Sequence, residues 1–183
     1  MIDLLEMHKQ FLGPHIKEGG AAADFTMGNG HDTLWLSRGV GENGRVYAFD
    51  IQEAALNSTR RLLEESYAPR NYTLIHDSHA NAALYIKEPI CVGMFNLGYL
   101  PGGDKSITTM RESTLAAVDS AIGLLEHGGG LCIAVYPGHA EGTAEGIMLD
   151  DHLRDLSKYQ FCVSRFQIIN SPLSPFFFLV EKK

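Results

Sequence analysis

Two carboxylates flanking a glycine loop mark the first place where this sequence could do chemistry. Asp24-Phe25-Thr26-Met27-Gly28-Asn29-Gly30-His31-Asp32-Thr33 follows the apolar run Ala21-Ala22-Ala23 and leads into the helical pattern of Leu34, Trp35 and Leu36. Glycines at 28 and 30 permit a tight turn and a close approach of ligand to backbone. Asp50 closes a second apolar run, Val46-Tyr47-Ala48-Phe49, and an acid at such a strand end can accept hydrogen bonds from both hydroxyls of an adenosine ribose. Dinucleotide enzymes share that pairing. Here, however, the loop lacks the third glycine of G-x-G-x-x-G, and Asp32 stands where a pyrophosphate prefers backbone donors and a positive helix end. A carboxylate there suits a cationic sulfonium that also carries an ammonium, so S-adenosylmethionine is the expected ligand. Asp24, Thr26, Gly28, Asn29, Gly30, Asp32 and Asp50 are its expected contacts.

Plainer roles stay open beside these. Asp24 could simply fix the loop and Asp32 cap the following helix. Gln52 could serve the ribose or a neighbouring backbone group. Ser78 and His79 follow the third strand signal, where this kind of sheet places contacts to adenine, but they could equally be a turn cap and a solvated imidazole.

Residues so placed need a scaffold of alternating strands and helices. An opening helix carries Leu4, Leu5, His8, Phe11, Leu12 and His15 at helical spacing, with Asp3 and Glu6 as a capping-box-like start and a bend near Pro14. Strand signals follow at residues 21–25, 45–50, 72–76, 90–95 and 131–136, separated by helical patterns at 33–36, 53–65, 80–87 and 106–126. Gly128-Gly129-Gly130 is expected to stop the last of these helices. A further helix is expected over 142–159, then two closing strands at 161–169 and 176–181. The fold class is therefore α/β, a doubly wound Rossmann-like sheet of about seven strands, mostly parallel with an antiparallel edge strand. No linker or internal repeat interrupts the chain, and one domain over 1–183 is expected.

A formal charge of −7 excludes broad, non-specific adhesion to nucleic acid, so any RNA site must be a local basic patch or gain surface from a second subunit. Residues 1–18 mix charge with apolar side chains unlike a signal peptide, and no run approaches the roughly 20 apolar residues of a membrane span. A cytoplasmic protein with no membrane partner is expected. Cys91, Cys132 and Cys162 lie in apolar runs and read as buried thiols, and the eight histidines show no paired ligand spacing, so no metal site is assigned.

Taken together, the loop 24–33, Phe49-Asp50-Ile51-Gln52, the run Phe95-Asn96-Leu97-Gly98-Tyr99-Leu100-Pro101-Gly102-Gly103-Asp104-Lys105 and Tyr136-Pro137-Gly138-His139 resemble a small bacterial rRNA methylase-like family over essentially the whole chain. That family includes the tRNA 5-(aminomethyl)-2-thiouridine methyltransferase. The resemblance implies a class I S-adenosylmethionine-dependent methyltransferase acting on the wobble uridine of a tRNA anticodon loop, with no DNA partner. Phe25 and Met27 stand where smaller residues are expected in the family, which bears on local packing. Asn96-Leu97-Gly98-Tyr99 is similar to the Asn-Pro-Pro-Tyr loop of amino-group methyltransferases, with Leu97-Gly98 in place of two prolines. By that likeness Asn96 and the Leu97 carbonyl orient the target amine, with Gly98 in the same loop, and Tyr99 stacks on the uracil. Tyr136 and His139 close the fifth strand on the same side, His139 as a substrate contact or proton relay. Lys105 and Arg111 are the candidate phosphate contacts, and a homodimer would widen the surface offered to RNA.

Overall fold

The computed structural model describes residues 4–97, 111–138 and 140–183, with only the backbone of Leu5, Arg111, Glu112, Ser113 and Ala140. Among the described residues, seven strands form one sheet in the order β3-β2-β1-β4-β5-β7-β6. They are β1 (Ala21–Asp24), β2 (Arg45–Asp50), β3 (Tyr72–His76), β4 (Ile90–Leu97), β5 (Leu125–Val135), β6 (Phe161–Phe166) and β7 (Phe176–Lys182). The helices are α1 (Leu4–Leu12), α2 (His31–Val40), α3 (Glu53–Glu65), α4 (Ala82–Tyr85), α5 (Arg111–Leu124) and α6 (Ala140–Arg154).

The pairings β1–β2, β2–β3, β1–β4 and β4–β5 are parallel, while β7 runs antiparallel to both β5 and β6. The antiparallel strand thus enters one position in from the edge, and β6 occupies the edge itself. From β1 the chain winds outward through β2 and β3, then returns to the other side of β1 as β4. Neighbouring connections part there, and in such sheets the ligand crevice lies outside the carboxyl ends of the strands on either side, here β1 and β4.

Both sheet faces are covered. On one, Phe25, Phe49, Phe95, Ile133, Phe176 and Phe178 pack under Ala117, Val118 and Ala121 of α5 and Leu149 and Leu153 of α6. On the other, Val46, Val92, Met94, Ala134, Phe177 and Leu179 meet Leu12 of α1 and Leu36 and Val40 of α2. The period-2 alternation of a strand sends Phe176, Phe178 and Val180 of β7 to the first face and Phe177 and Leu179 to the second. None of the described helices is long and apolar enough to cross a membrane.

Two local readings of the sequence change, at Gly128-Gly129-Gly130 and at Cys162, and the packing question at Phe25 is answered. Gly128-Gly129-Gly130 does not end a helix, because α5 stops at Leu124 and β5 begins at once. The ladder instead jumps from the Ile90–Leu125 pair to the Val92–Gly130 pair, and the extra β5 residues bulge out. The glycines serve that bulge: Gly128 has φ +77°, and a Cβ on Gly130 would lie 2.8 Å from the His15 ring. Phe25 also finds its space through a glycine. It stacks on Phe95 at 4.4 Å between centroids, and a Cβ on Gly93 would come within 3.0 Å of its ring. Cys91 and Cys132 are buried, but Cys162 is exposed because it lies on the edge strand, whose side chains are only half covered.

Candidate functional site: an acidic crevice at the ends of β1, β2 and β4

Past β1 the chain turns sharply. Met27 N–H donates to the Phe49 carbonyl at 2.9 Å and Gly30 N–H to the Met27 carbonyl at 2.7 Å, with Gly28 at φ +50° and Gly30 at φ +86°. Gly30 is required twice over, since a Cβ there would also lie 2.9 Å from the Thr59 Cα on α3. Thr59, fully buried, donates its hydroxyl to the Gly28 carbonyl at 3.1 Å and so pins the loop from behind. Ser58 does the same for Asn29, donating to its Oδ1 at 3.0 Å, so that side chain is turned toward α3.

Three carboxylates converge around this loop. Asp50 accepts the Gly28 N–H through Oδ2 at 3.1 Å and the Gln52 N–H through Oδ1 at 2.9 Å. Each oxygen keeps a further lone pair for a ligand hydroxyl. Asp24 is fully buried and accepts the Thr33 hydroxyl at 2.6 Å and the Thr26 N–H at 3.2 Å. Burial pushes its pKa up to about 7 and the Asp32 charge adds to this, outweighing both hydrogen bonds. A site that strains to keep an anion ionised gains from any cation placed beside it.

Asp32, on the first turn of α2, links this acidic loop to the end of β4. Its Oδ2 accepts the Asn96 side-chain N–H at 2.5 Å, while the Asn96 backbone N–H donates to the Thr26 hydroxyl at 2.6 Å. A carboxylate can only accept, so the NH₂ of Asn96 must face Asp32 and its Oδ1 must face away. The Tyr136 hydroxyl lies 3.4 Å from that Oδ1.

On the β3 side, His79 Nδ1 lies 3.0 Å from the Phe25 carbonyl and its ring meets Phe95 edge-on. Burial lowers its pKa, which keeps the imidazole neutral at physiological pH. Ser78 caps the 3₁₀ turn His79–Asn81, accepting the Ala80 N–H at 3.2 Å.

The structure therefore brings Asp24, Thr26, Gly28, Gly30, Asp32, Asp50, Asn96 and Tyr136 to one crevice. Gln52 enters through its backbone, and the Leu97 side chain is buried in the core, which leaves only its backbone for a ligand. Gly98, Tyr99, Lys105 and His139 lie outside the described residues, as does the Arg111 side chain. Thr33 and Thr59 were not singled out in the sequence as site residues. Their hydroxyls act through partners 9 and 31 positions away, and only the folded chain shows those pairings. Among the described residues no cluster of His, Cys, Asp or Glu could hold a metal ion.

This sheet, with an acid closing β2 and a glycine loop joining β1 to α2, is one that S-adenosylmethionine-dependent methyltransferases use, and the methyltransferase relatives of the chain place it in that class. Residues 46–182 match the family described as "Putative rRNA methylase", and the chain belongs to that family. It is 35% identical to the chloroplastic tRNA (mnm(5)s(2)U34)-methyltransferase of Arabidopsis thaliana over 92% of its own length. That match spans 65% of the plant protein, just under two thirds of it. Among solved structures, a "putative rRNA-methylase" from Clostridium thermocellum superposes with a TM-score of 0.96 at 38% identity, covering 100% of this chain and 99% of the other. A "putative methyltransferase" from Streptococcus mutans in complex with SAH gives 0.90 at 37% identity, covering 100% of this chain and 99% of the other.

Proposed function

We propose that this chain methylates the aminomethyl nitrogen of 5-aminomethyl-2-thiouridine at the tRNA wobble position, giving 5-methylaminomethyl-2-thiouridine. The observation that carries the reading is the Asp32–Asn96 hydrogen bond, which turns the Asn96 carbonyl oxygen outward. An acceptor-only oxygen at that point favours a nucleophile with N–H bonds to donate, as an amine has. The name of the plant relative specifies the same class of reaction at the same nucleoside.

S-adenosylmethionine supplies an electrophilic methyl on sulfonium sulfur. Asp50 accepts the ribose hydroxyls, and Gly28 and Gly30 let the backbone approach the ligand. Asp24 and Asp32 set the negative potential that attracts the ligand's positive charges. Asn96 would hold the neutral amine through one N–H and turn its lone pair toward the methyl to be transferred, displacing the Tyr136 hydroxyl. When bound, the cofactor would give up that methyl and keep the carbon–sulfur electron pair as a neutral thioether, and the amine held by Asn96 would leave as a secondary ammonium. The nitrogen gave up its proton to solvent before attack, so no strong base is needed; positioning supplies much of the acceleration. The wobble base lies in a single-stranded loop and reaches the crevice by splaying out rather than by opening a duplex. Tyr99, Lys105, Arg111 and His139 are proposed to serve this substrate, with a second copy of the chain extending the RNA surface.

The test is nucleoside mass spectrometry of tRNA carrying the unmethylated aminomethyl wobble base, incubated with purified protein and S-adenosylmethionine. Conversion to the monomethylated nucleoside is expected. Methylation of rRNA or of free small amines alone, or cofactor binding without any transfer, would replace the proposal.

A further inference from the structure

We propose that Lys9, on the opening helix, is a positioning residue for methyl transfer: it clamps Asp32 so that Asp32 presents Asn96 in its reactive orientation. The inference rests on Asn96 as the residue that orients the acceptor.

The geometry runs in a line from α1 to the end of β4. Lys9 Nζ lies 3.2 Å from Asp32 Oδ1, and the other carboxylate oxygen receives the Asn96 amide. The pair is sheltered, with the Lys9 side chain 18% exposed and Asp32 14%. His8, the preceding residue, brings Nε2 to 4.0 Å of the same Asp32 oxygen. The helix is held by its apolar side: Leu12 is fully buried against β5 and β7, and the Phe11 ring lies 4.4 Å from that of Phe166.

Asp32 needs such a partner. It sits near Asp24, and two carboxylates so placed repel each other. An ammonium on the far oxygen offsets this repulsion and removes the freedom of the carboxylate to rotate. The second effect matters more for the reaction. An Asn amide is symmetrical in shape, and only its partners decide which end faces the substrate. With Asp32 fixed, the NH₂ end is held inward; with Asp32 loose, the amide can present donors to the incoming lone pair. The direction of the Lys9 pKa agrees, raised by Asp32 and Glu6 despite its burial.

Lys9 also pairs with the exposed Glu6 at 3.1 Å, which provides an internal control. Lys9→Met keeps the stem and removes the charge, Lys9→Arg keeps the charge, and Glu6→Gln removes only the surface partner. In Lys9→Met, kcat on the methyl-accepting substrate is expected to fall on the order of tenfold or more, since small misplacements of reacting groups are costly. The melting temperature and the S-adenosylmethionine dissociation constant should stay close to parental. Lys9→Arg should recover most of the rate, and Glu6→Gln should match the parent. A second readout needs no substrate: the side-chain amide resonances of Asn96 in the cofactor-free protein should shift in Lys9→Met and return toward parental in Lys9→Arg. Parental kcat or unmoved Asn96 resonances in Lys9→Met would overturn the proposal. So would loss of rate that tracks loss of folding equally in all three variants. Failure of the tRNA reading shows itself differently, as absence of transfer to aminomethyl tRNA by the parent protein, and the Asn96 resonances then still decide the role of Lys9.

Discussion

Asp24 carries the largest electrostatic tension in the crevice, and that tension has a readable pH signature. Its carboxyl titrates near 7 in the folded, cofactor-free protein, against 3.8 for the free side chain. Between these values the native state binds more protons than the unfolded chain. Its contribution to stability therefore falls as pH rises through that window and stays low above it. A cationic ligand reverses the preference and requires the anion. The apparent S-adenosylmethionine dissociation constant should drop by about tenfold between pH 6 and pH 8 as the proton is lost in advance. Calorimetry across that range would show the slope, and Asp24→Asn should flatten it. A slope unchanged in Asp24→Asn would place the titrating group elsewhere.

Asn96 belongs to the same scale. Replacing it by alanine removes the outward oxygen while Thr26, Asp32 and Asp50 keep the cofactor side intact. The rate of a single turnover should fall by a factor corresponding to about 1–3 kcal/mol, with cofactor affinity little changed. Equal losses in both would mean that Asn96 holds the donor instead of the acceptor.

At the scale of elements, the site depends on how β1, α2 and α3 meet at one glycine. Gly30→Ala forces a left-handed φ on a residue with a Cβ and drives that Cβ into the Thr59 backbone. The two effects together should cost about 2–4 kcal/mol in a denaturant titration and weaken cofactor binding through the displaced loop. Thr59→Val, which keeps the volume and removes the hydroxyl, should cost less.

This junction also shows what the sequence could and could not reveal. Alternating apolar runs and glycine turns made β1, α2, β2 and α3 legible, because strand and helix periods differ and the punctuating residues lie in chain order. The clustering of Asp24, Asp32, Asp50 and Asn96 followed from the rule that parallel sheets gather ligands at their carboxyl ends. Lys9 and Thr59 were invisible for the opposite reason: α1 precedes the sheet and α3 reaches the loop only through tertiary packing. The glycine triplet at 128–130 misled because a helix stop and a bulge have the same composition, and only the register with β4 distinguishes them.

The whole molecule is acidic, with a formal charge of −7, and the crevice concentrates part of that charge where the proposed RNA substrate would approach. On the proposed function, a tRNA would therefore be held not by a broad field but by a few local phosphate contacts around the crevice. A second copy of the chain brings the same excess of acid, so dimerisation would add contact area without changing this conclusion. Counterion release makes the consequence measurable, because log affinity falls with log salt at a slope of about −0.7 for each phosphate contacted in a single strand. For roughly four contacts the slope should be no steeper than about −3. Fluorescence anisotropy of a labelled anticodon stem-loop, titrated at several salt concentrations, gives the number directly. General repulsion between acidic protein and RNA is also screened by salt, which makes the observed slope shallower still. A steep slope would mean that phosphate recognition covers much more surface than the basic residues of this chain provide, and would point to another cationic component in the complex.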